Sequence, residues 1–239
     1  MGHSTLYLII VVLGFFAVIL GVFAVFYYQQ PIISASGEAF LCKNILINGD
    51  AENKIDVVLF FDGVDEKEAG DYINYLLDVS PFSENKEKFN FYSVNMAPSC
   101  EITNGILICY SREIIRASSL CPNEYVIVLS KQSSGTRSSA YMNLISVNIA
   151  NKKTVVAHEF GHIFANLADE YVPSSIPRGS DNCVSSCDKF SGETDGCYGG
   201  CSKNDMFRSI EAGLMRTLGT NNYGKFDKAI VEGALNKYE

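Results

Sequence analysis

Polar and apolar positions follow three different patterns along this chain. Residues 6–28 form an unbroken run of 23 apolar, aromatic or glycine residues. At 1.5 Å per residue a helix of that length covers about 35 Å, enough to cross a bilayer core of roughly 30 Å. Over residues 55–166, short β-prone runs alternate with helical periods. Residues 55–61 are almost continuously apolar, which is the pattern of a central strand covered on both faces. Ala69, Tyr72, Ile73, Leu76 and Leu77 recur at helical spacing and predict a helix over 65–79. Residues 89–94 and 125–129 predict two more strands. Residues 140–149 predict a fourth, more polar one, as suits a sheet edge. Asn104-Gly105 marks a loop or hairpin between Cys100 and Cys109. A short helix is expected over 112–119 and a longer one over 152–166, with a flexible Ser/Gly-rich loop at 133–139 between them. Beyond Tyr171 the texture changes. Residues 173–204 are rich in Ser, Gly, Asp and Cys with neither period, and a helical period returns over 224–238. Strands alternating with helices predict an α/β fold.

The division that follows is a transmembrane signal anchor at 1–30, a stalk at 31–54 and a single domain at 55–239. That domain divides into a sheet-and-helix part (55–166) and an irregular part (167–239). The apolar run is longer than the 7–15 residues of a cleavable leader and lacks a basic start, so an uncleaved anchor is expected. Lys43 is the only basic residue near either flank, so charge does not orient it. Cysteine does: all eight Cys lie after the run, an even number at a density that predicts disulfides and an oxidising compartment. The expected location is the cell membrane, single-pass, with the domain outside.

Composition removes some classes of function. Hydrophobic residues are 47% and charged residues 19%, which excludes a mostly disordered chain. The net charge of −8, with no basic block, argues against nucleic acid as a partner.

Two of the three histidines lie in His158-Glu159-Phe160-Gly161-His162. On a helix, positions i and i+4 share a face, so both imidazoles can reach one metal ion. Glu159 can take a proton from a water that zinc has acidified. A catalytic zinc needs a third protein ligand. Asn166 tolerates the left-handed conformation that ends a helix, and Asp169 follows it by three. Asp169 is therefore the expected ligand, with its neighbour Glu170 in reserve. A distant Glu of the thermolysin type is the third option, with Glu193 and Glu211 as the candidates. Otherwise Asp169 and Glu170 are ordinary helix-end carboxylates.

The run from His158 to Tyr171 closely resembles the core motif of the IgA-peptidase family of zinc metallopeptidases, a metzincin-like group. Residues 56–63, Pro81-Phe82 and residues 89–94 resemble that family's opening strand, helix end and second strand. Gly213-Leu214-Met215-Arg216 resembles its methionine turn. The resemblance thus covers about 55–235. It departs from the usual pattern at Ala165-Asn166, where the family tends to carry glycines. It implies a metzincin-like α/β fold: a twisted mixed sheet with an active-site helix, then the Cys-rich part, all preceded by the transmembrane helix. It also implies a turn at Met215 beneath the metal.

Cys183, Cys187, Cys197 and Cys201 resemble two ligand pairs. Their x3 spacing and the external compartment favour disulfides over a second, structural zinc. The expected function is a membrane-anchored extracytoplasmic zinc endopeptidase with one catalytic Zn2+ and a peptide or protein substrate. The competing readings are a catalytically inactive surface binding module on the same fold and a thermolysin-like peptidase. They separate on Glu159 and on which acid meets the metal. A polar strand just before the active-site helix could hold an extended substrate by strand addition.

Overall fold

The fold is described from a computed structural model, over residues 13–16, 18–20, 40–190 and 193–238. The chain separates into two units, 1–40 and 41–239. In the first, residues 13–16 and 18–20 are helical, and the rest of the expected anchor and residues 31–39 lie outside the described residues. Among the described residues, no helix is long and apolar enough to cross a membrane.

The second unit is built on strands β1 (Cys42–Leu46), β2 (Ile55–Asp62), β3 (Phe89–Val94), β4 (Glu101–Thr103), β5 (Ile106–Ile108), β6 (Tyr125–Ser130), β7 (Ser139–Tyr141) and β8 (Leu144–Asn148). Helix α1 (Glu66–Asp78) follows β2, α2 (Arg112–Ser118) follows β5, and α3 (Thr154–Ala165) follows β8. Six strands form one sheet in the order β1-β3-β2-β6-β8-β7. The inner four run parallel, and β1 and β7 join antiparallel at the two edges.

The continuous apolar run of β2 is explained by its position. Ile55, Val57 and Leu59 face a core shared with α1 and α3, while Val58 and Phe60 are buried on the other side. On that other side β5 packs against β7 and β8, and Ile114 and Ala117 of α2 are fully buried. The Cys109 amide is tied there to Ser146 of β8 at 3.0 Å. Asp65 starts α1 by accepting from the Glu68 amide at 2.7 Å, as an N-cap carboxylate does. Asn104 and Gly105 sit at φ +52° and +76°, the two left-handed positions of a tight hairpin turn between β4 and β5.

Four expectations are corrected. Residues 42–46 are not part of a stalk: they pair with β3, and Cys42 is bonded to Cys121, so the sheet gains a strand that the sequence pattern hid. Residues 140–149 are not one edge strand. A turn at Met142, with φ +54°, folds them into β7 and β8, and only the three-residue β7 is at the edge. The polar residues of β8 do not face water; they are buried and hydrogen-bonded within the protein. The loop at 133–139 is anchored: the Asn148 side chain donates to the carbonyls of Ser133 and Thr136, both at 2.8 Å. Finally, residues 173–204 are not wholly irregular, since β9 (Tyr198–Cys201) pairs antiparallel with β10 (Lys203–Arg208).

Helix α4 (Lys225–Leu235) packs on α3 and closes the unit. The four cysteines of the C-terminal part pair as Cys183–Cys201 and Cys187–Cys197. Cys42–Cys121 and Cys100–Cys109 use the other four. All four thiols of the cluster are consumed, so the structural-zinc alternative has no thiolates to bind it.

Candidate metal centre

Helix α3 is apolar on nearly every side because it is enclosed. It packs on β7 and β8, on α1 and on α4. Phe160 and Phe164 of α3 stack on each other and meet Phe82 edge-on. That packing fixes the rotation of the helix and sends His158, Glu159 and His162 to one side, into a cleft of about 750 Å³. Asn166 then ends the helix at φ +53°, the left-handed residue expected there. Its amide and that of Leu167 both return to the Gly161 carbonyl, a closure that reverses the chain within one residue. The reversal brings Asp169 back over the histidines.

The geometry of the three candidate ligands is specific. The Asp169 Oδ1 lies 3.1 Å from His158 Nε2 and 3.3 Å from His162 Nε2. His158 Nδ1 is 2.9 Å from the Leu214 carbonyl, and His162 Nδ1 is 2.6 Å from the Leu167 carbonyl. A carbonyl can only accept, so each Nδ1 carries a proton, and it is the two Nε2 atoms, turned to the same point, that can give up a proton and offer a lone pair to a metal. Backbone carbonyls on Nδ1 are the orientation expected behind metal-ligating imidazoles. Asp169 Oδ2 accepts from Ser174 Oγ at 3.0 Å, which aims the other oxygen inward. Among the described residues, these three are the one group of His, Cys, Asp or Glu whose ligand atoms cluster tightly enough for a metal. Asp169 Oδ1 is buried without an orthodox hydrogen bond, so the donor set fits a zinc ion.

Electrostatics follow from the burial. Burial raises the Glu159 carboxyl above its ordinary value, against the pull of both histidines. Burial also raises the Asp169 carboxyl, but the two imidazoles outweigh it and hold the group well below the usual carboxylate range. His162 is pushed down by burial, yet the Asp169 and Glu159 carboxylates bring it up to about 8.

The other expected residues fall as follows. Met215 is fully buried beneath α3, its Sδ 3.2 Å from where a Cβ on Gly161 would sit. It belongs to a tight turn in which the Arg216 and Thr217 amides both donate to Gly213 at 3.0 Å, and whose Leu214 carbonyl holds His158. Glu170 does not join the group. It is fully buried and raised to about 8 by that burial, despite Arg208 and Arg216, and its charge bears on the buried Asp227. Glu193 pairs with Lys225 at 3.4 Å on the surface, and Glu211 is exposed. Neither belongs to the histidine cluster, so the thermolysin-like arrangement is not formed by the described residues.

Two cleft residues escaped the sequence reading. Arg137 extends from the anchored loop, and its Nη2 donates to the Tyr171 hydroxyl at 2.7 Å. Its charge also reaches Glu159. Tyr171 lies beside Asp169. Burial and that carboxylate push its hydroxyl up to about 12, so it keeps its proton. The available signals were a single Arg within an uncharged Ser/Gly-rich stretch, and a Tyr two residues after the expected third ligand.

Two imidazoles and a carboxylate converging on one point, with a buried glutamate beside them on an α/β scaffold, define a candidate metallohydrolase centre. The family model described as IgA Peptidase M64 matches residues 99–182, about a third of the chain. The match takes in the whole of α3, its continuation through Asp169 and Tyr171, and it bears out the resemblance to that peptidase family. It is narrower than the sequence resemblance: β2, β3 and the turn at Met215 lie outside it. No curated protein matches the chain.

Proposed function

We propose that the chain is a membrane-anchored, extracytoplasmic zinc endopeptidase. The observation that carries the catalytic part is the convergence of His158 Nε2, His162 Nε2 and Asp169 Oδ1, with Glu159 buried next to them. His158, His162 and Asp169 would hold the metal. When bound there, zinc supplies a Lewis acid for the scissile carbonyl and lowers the pKa of a water to about 7. The protein's own part is acid–base and positional. Glu159 takes a proton from the attacking water as the new C–O bond forms. When the C–N bond breaks, it returns that proton to the amine nitrogen. A carboxyl raised by burial is suited to both roles.

The substrate would lie extended along β7, the last strand on its side of the sheet, with Ser139 and Ala140 on the cleft wall. Strand addition there would carry the peptide past α3. The anchor and the outside location are supported by the 23-residue apolar run and by eight paired cysteines.

The test is Glu159→Ala in the full chain, assayed on a peptide library beside the wild type. The variant should keep one zinc per chain and lose hydrolysis by at least ~100-fold. Equal turnover by the two proteins would refute the mechanism. A zinc-loaded wild type that cleaves nothing would point to the binding-module reading.

A further inference from the structure

We propose that Ser202 is a positioning residue for Asp169, and that the Cys183–Cys201 cross-link, which fixes Ser202 against Asn182, sets the zinc affinity of the site. The proposal rests on the reading of His158, His162 and Asp169 as a zinc site and names what holds the third of them. Both histidines are fixed by α3. Asp169 lies past the end of that helix, so its position has to come from the Cys-rich part of the chain.

Hydrogen bonds from two buried side chains fix the backbone there. The Ala168 amide donates to Asn182 Oδ1 at 2.8 Å, and Asn182 Nδ2 donates to the Ala168 carbonyl at 2.9 Å. The Asn182 side chain thus bonds Ala168 as a neighbouring strand would. One residue on, the Asp169 carbonyl accepts from Ser202 Oγ at 2.5 Å. Ser202 also acts on the carboxylate through Ser174. Its carbonyl accepts from the Ser174 amide at 2.8 Å, and Ser174 Oγ donates to Asp169 Oδ2 at 3.0 Å. Backbone and side chain of Asp169 therefore both depend on Ser202. Asn182 and Ser202 are buried, so water does not compete for these bonds.

The two holders lie on different segments, and one covalent bond joins those segments beside them. Asn182 precedes Cys183, Ser202 follows Cys201, and Cys183 is bonded to Cys201. Both cysteines are buried and cluster with Ala168. Val184 and Phe207 exchange two backbone hydrogen bonds, at 3.0 and 2.8 Å, so the segments stay adjacent when the cross-link is removed. What the cross-link adds is a fixed separation between Asn182 and Ser202, and hence a fixed course for the chain through Ala168 and Asp169. The second disulfide of this part, Cys187–Cys197, is exposed, and none of the bonds to Ala168, Asp169 or Ser174 described above adjoins it. A ligand already held in place loses little freedom when it binds a metal, and one on a loose segment loses more. Partners that orient a ligand are worth about 10–100-fold in metal affinity.

The experiment uses the full chain with Ser202→Gly, Ser202→Ala, Cys183→Ala/Cys201→Ala and, as control, Cys187→Ala/Cys197→Ala. Zinc affinity is measured by competition with a chromophoric chelator. The visible spectrum of the cobalt-loaded chain reports ligand geometry, and Tm in EDTA reports the frame without metal. Ser202 sits at φ +56°, which glycine adopts freely, so Ser202→Gly removes the hydroxyl and favours the turn. Both Ser202 variants should lose about 10–100-fold in zinc affinity and alter the cobalt spectrum, with Tm in EDTA close to wild type for Ser202→Gly. Cys183→Ala/Cys201→Ala should lose zinc affinity by a similar factor, and the control should stay within about threefold of wild type. Wild-type zinc affinity in both Ser202 variants would overturn the positioning role. So would a weaker site with an unchanged cobalt spectrum and a lowered Tm in EDTA, since Ser202 would then serve the frame alone. Equal losses in the two double-cysteine variants would overturn the role of Cys183–Cys201. A Cys183→Ala/Cys201→Ala chain with no cooperative melt in EDTA would do the same, since the bond would then belong to folding and not to the metal. If the wild type binds zinc and only the variant results fail, the zinc-site reading stands without this proposal. If the wild type binds no zinc, both fall.

Discussion

Gly161 sits between the two histidines of α3, and replacing it with alanine sets two effects of opposite sign against each other. Helix propensity favours alanine by about 1 kcal/mol in a helix interior. Packing opposes it. A Cβ at that position would lie 3.1 Å from both Cε1 and OH of Tyr223 and 3.2 Å from Met215 Sδ. Comfortable contacts between such atoms are about 3.5–4.0 Å, so the neighbours must retreat by several tenths of an ångström. They have little room. Met215 and Tyr223 are both buried, and the Tyr223 hydroxyl donates to the Ala157 carbonyl at 2.5 Å. Overpacking of this kind costs about 1–3 kcal/mol, and weakening a buried hydrogen bond costs about 1 more. The net expectation is a loss of roughly 1–3 kcal/mol, or about 3–10 °C in Tm for a unit of this size. The same displacement pushes on the turn whose Leu214 carbonyl orients His158, so zinc affinity should fall with Tm. Thermal melts with and without chelator, plus zinc titration, measure both. A Tm equal to or above the wild type would show that propensity wins and that α3 does not bear on Met215 and Tyr223 as described.

The remaining predictions concern the frame. Cys42–Cys121 closes 79 residues of chain and staples edge strand β1 beside β3, which in the loop-entropy account is worth about 4–5 kcal/mol. Replacing both cysteines with serine should lower the denaturant midpoint markedly, and an unchanged midpoint would exclude the staple. Asp227 is held well above its ordinary value by burial and by Glu170. A carboxyl raised in the folded state stabilises it fully below the unfolded pKa of about 3.9 and loses that contribution as pH rises. Asp227→Asn should therefore raise Tm at pH 8, with the difference closing towards pH 4. A variant less stable than wild type at pH 8 would contradict this.

Where the sequence was legible, local pattern and tertiary role agreed. The two-sided apolar run of β2, the helical period of α1 and the His-Glu-x-x-His spacing each state in a few residues what the fold does with them. Asn166 and Asp169 were legible because a left-handed helix end has few acceptable residues and the chain must then return. Edges and buried polar groups were not legible. β1 is mostly exposed and carries no two-sided apolar signal, so its pairing depends on β3 and on a disulfide partner 79 residues away. The polar residues of β8 suggested exposure, yet Ser146 and Asn148 are buried because Cys109 and the 133–136 carbonyls satisfy them. The sequence likewise left Glu170 open as a ligand, although its carboxylate stands apart from the cluster of His158, His162 and Asp169. Arg137 was missed because its hydrogen-bond partner in the cleft, Tyr171, lies 34 residues later.

The central claim is that His158, His162 and Asp169 hold one zinc ion. Its most direct test is elemental analysis of the full chain, equilibrated with zinc and then dialysed, beside Asp169→Ala and Glu170→Ala. The account predicts one zinc per chain in the wild type and in Glu170→Ala, and none retained in Asp169→Ala. Full zinc in Asp169→Ala, or none in the wild type, would contradict it.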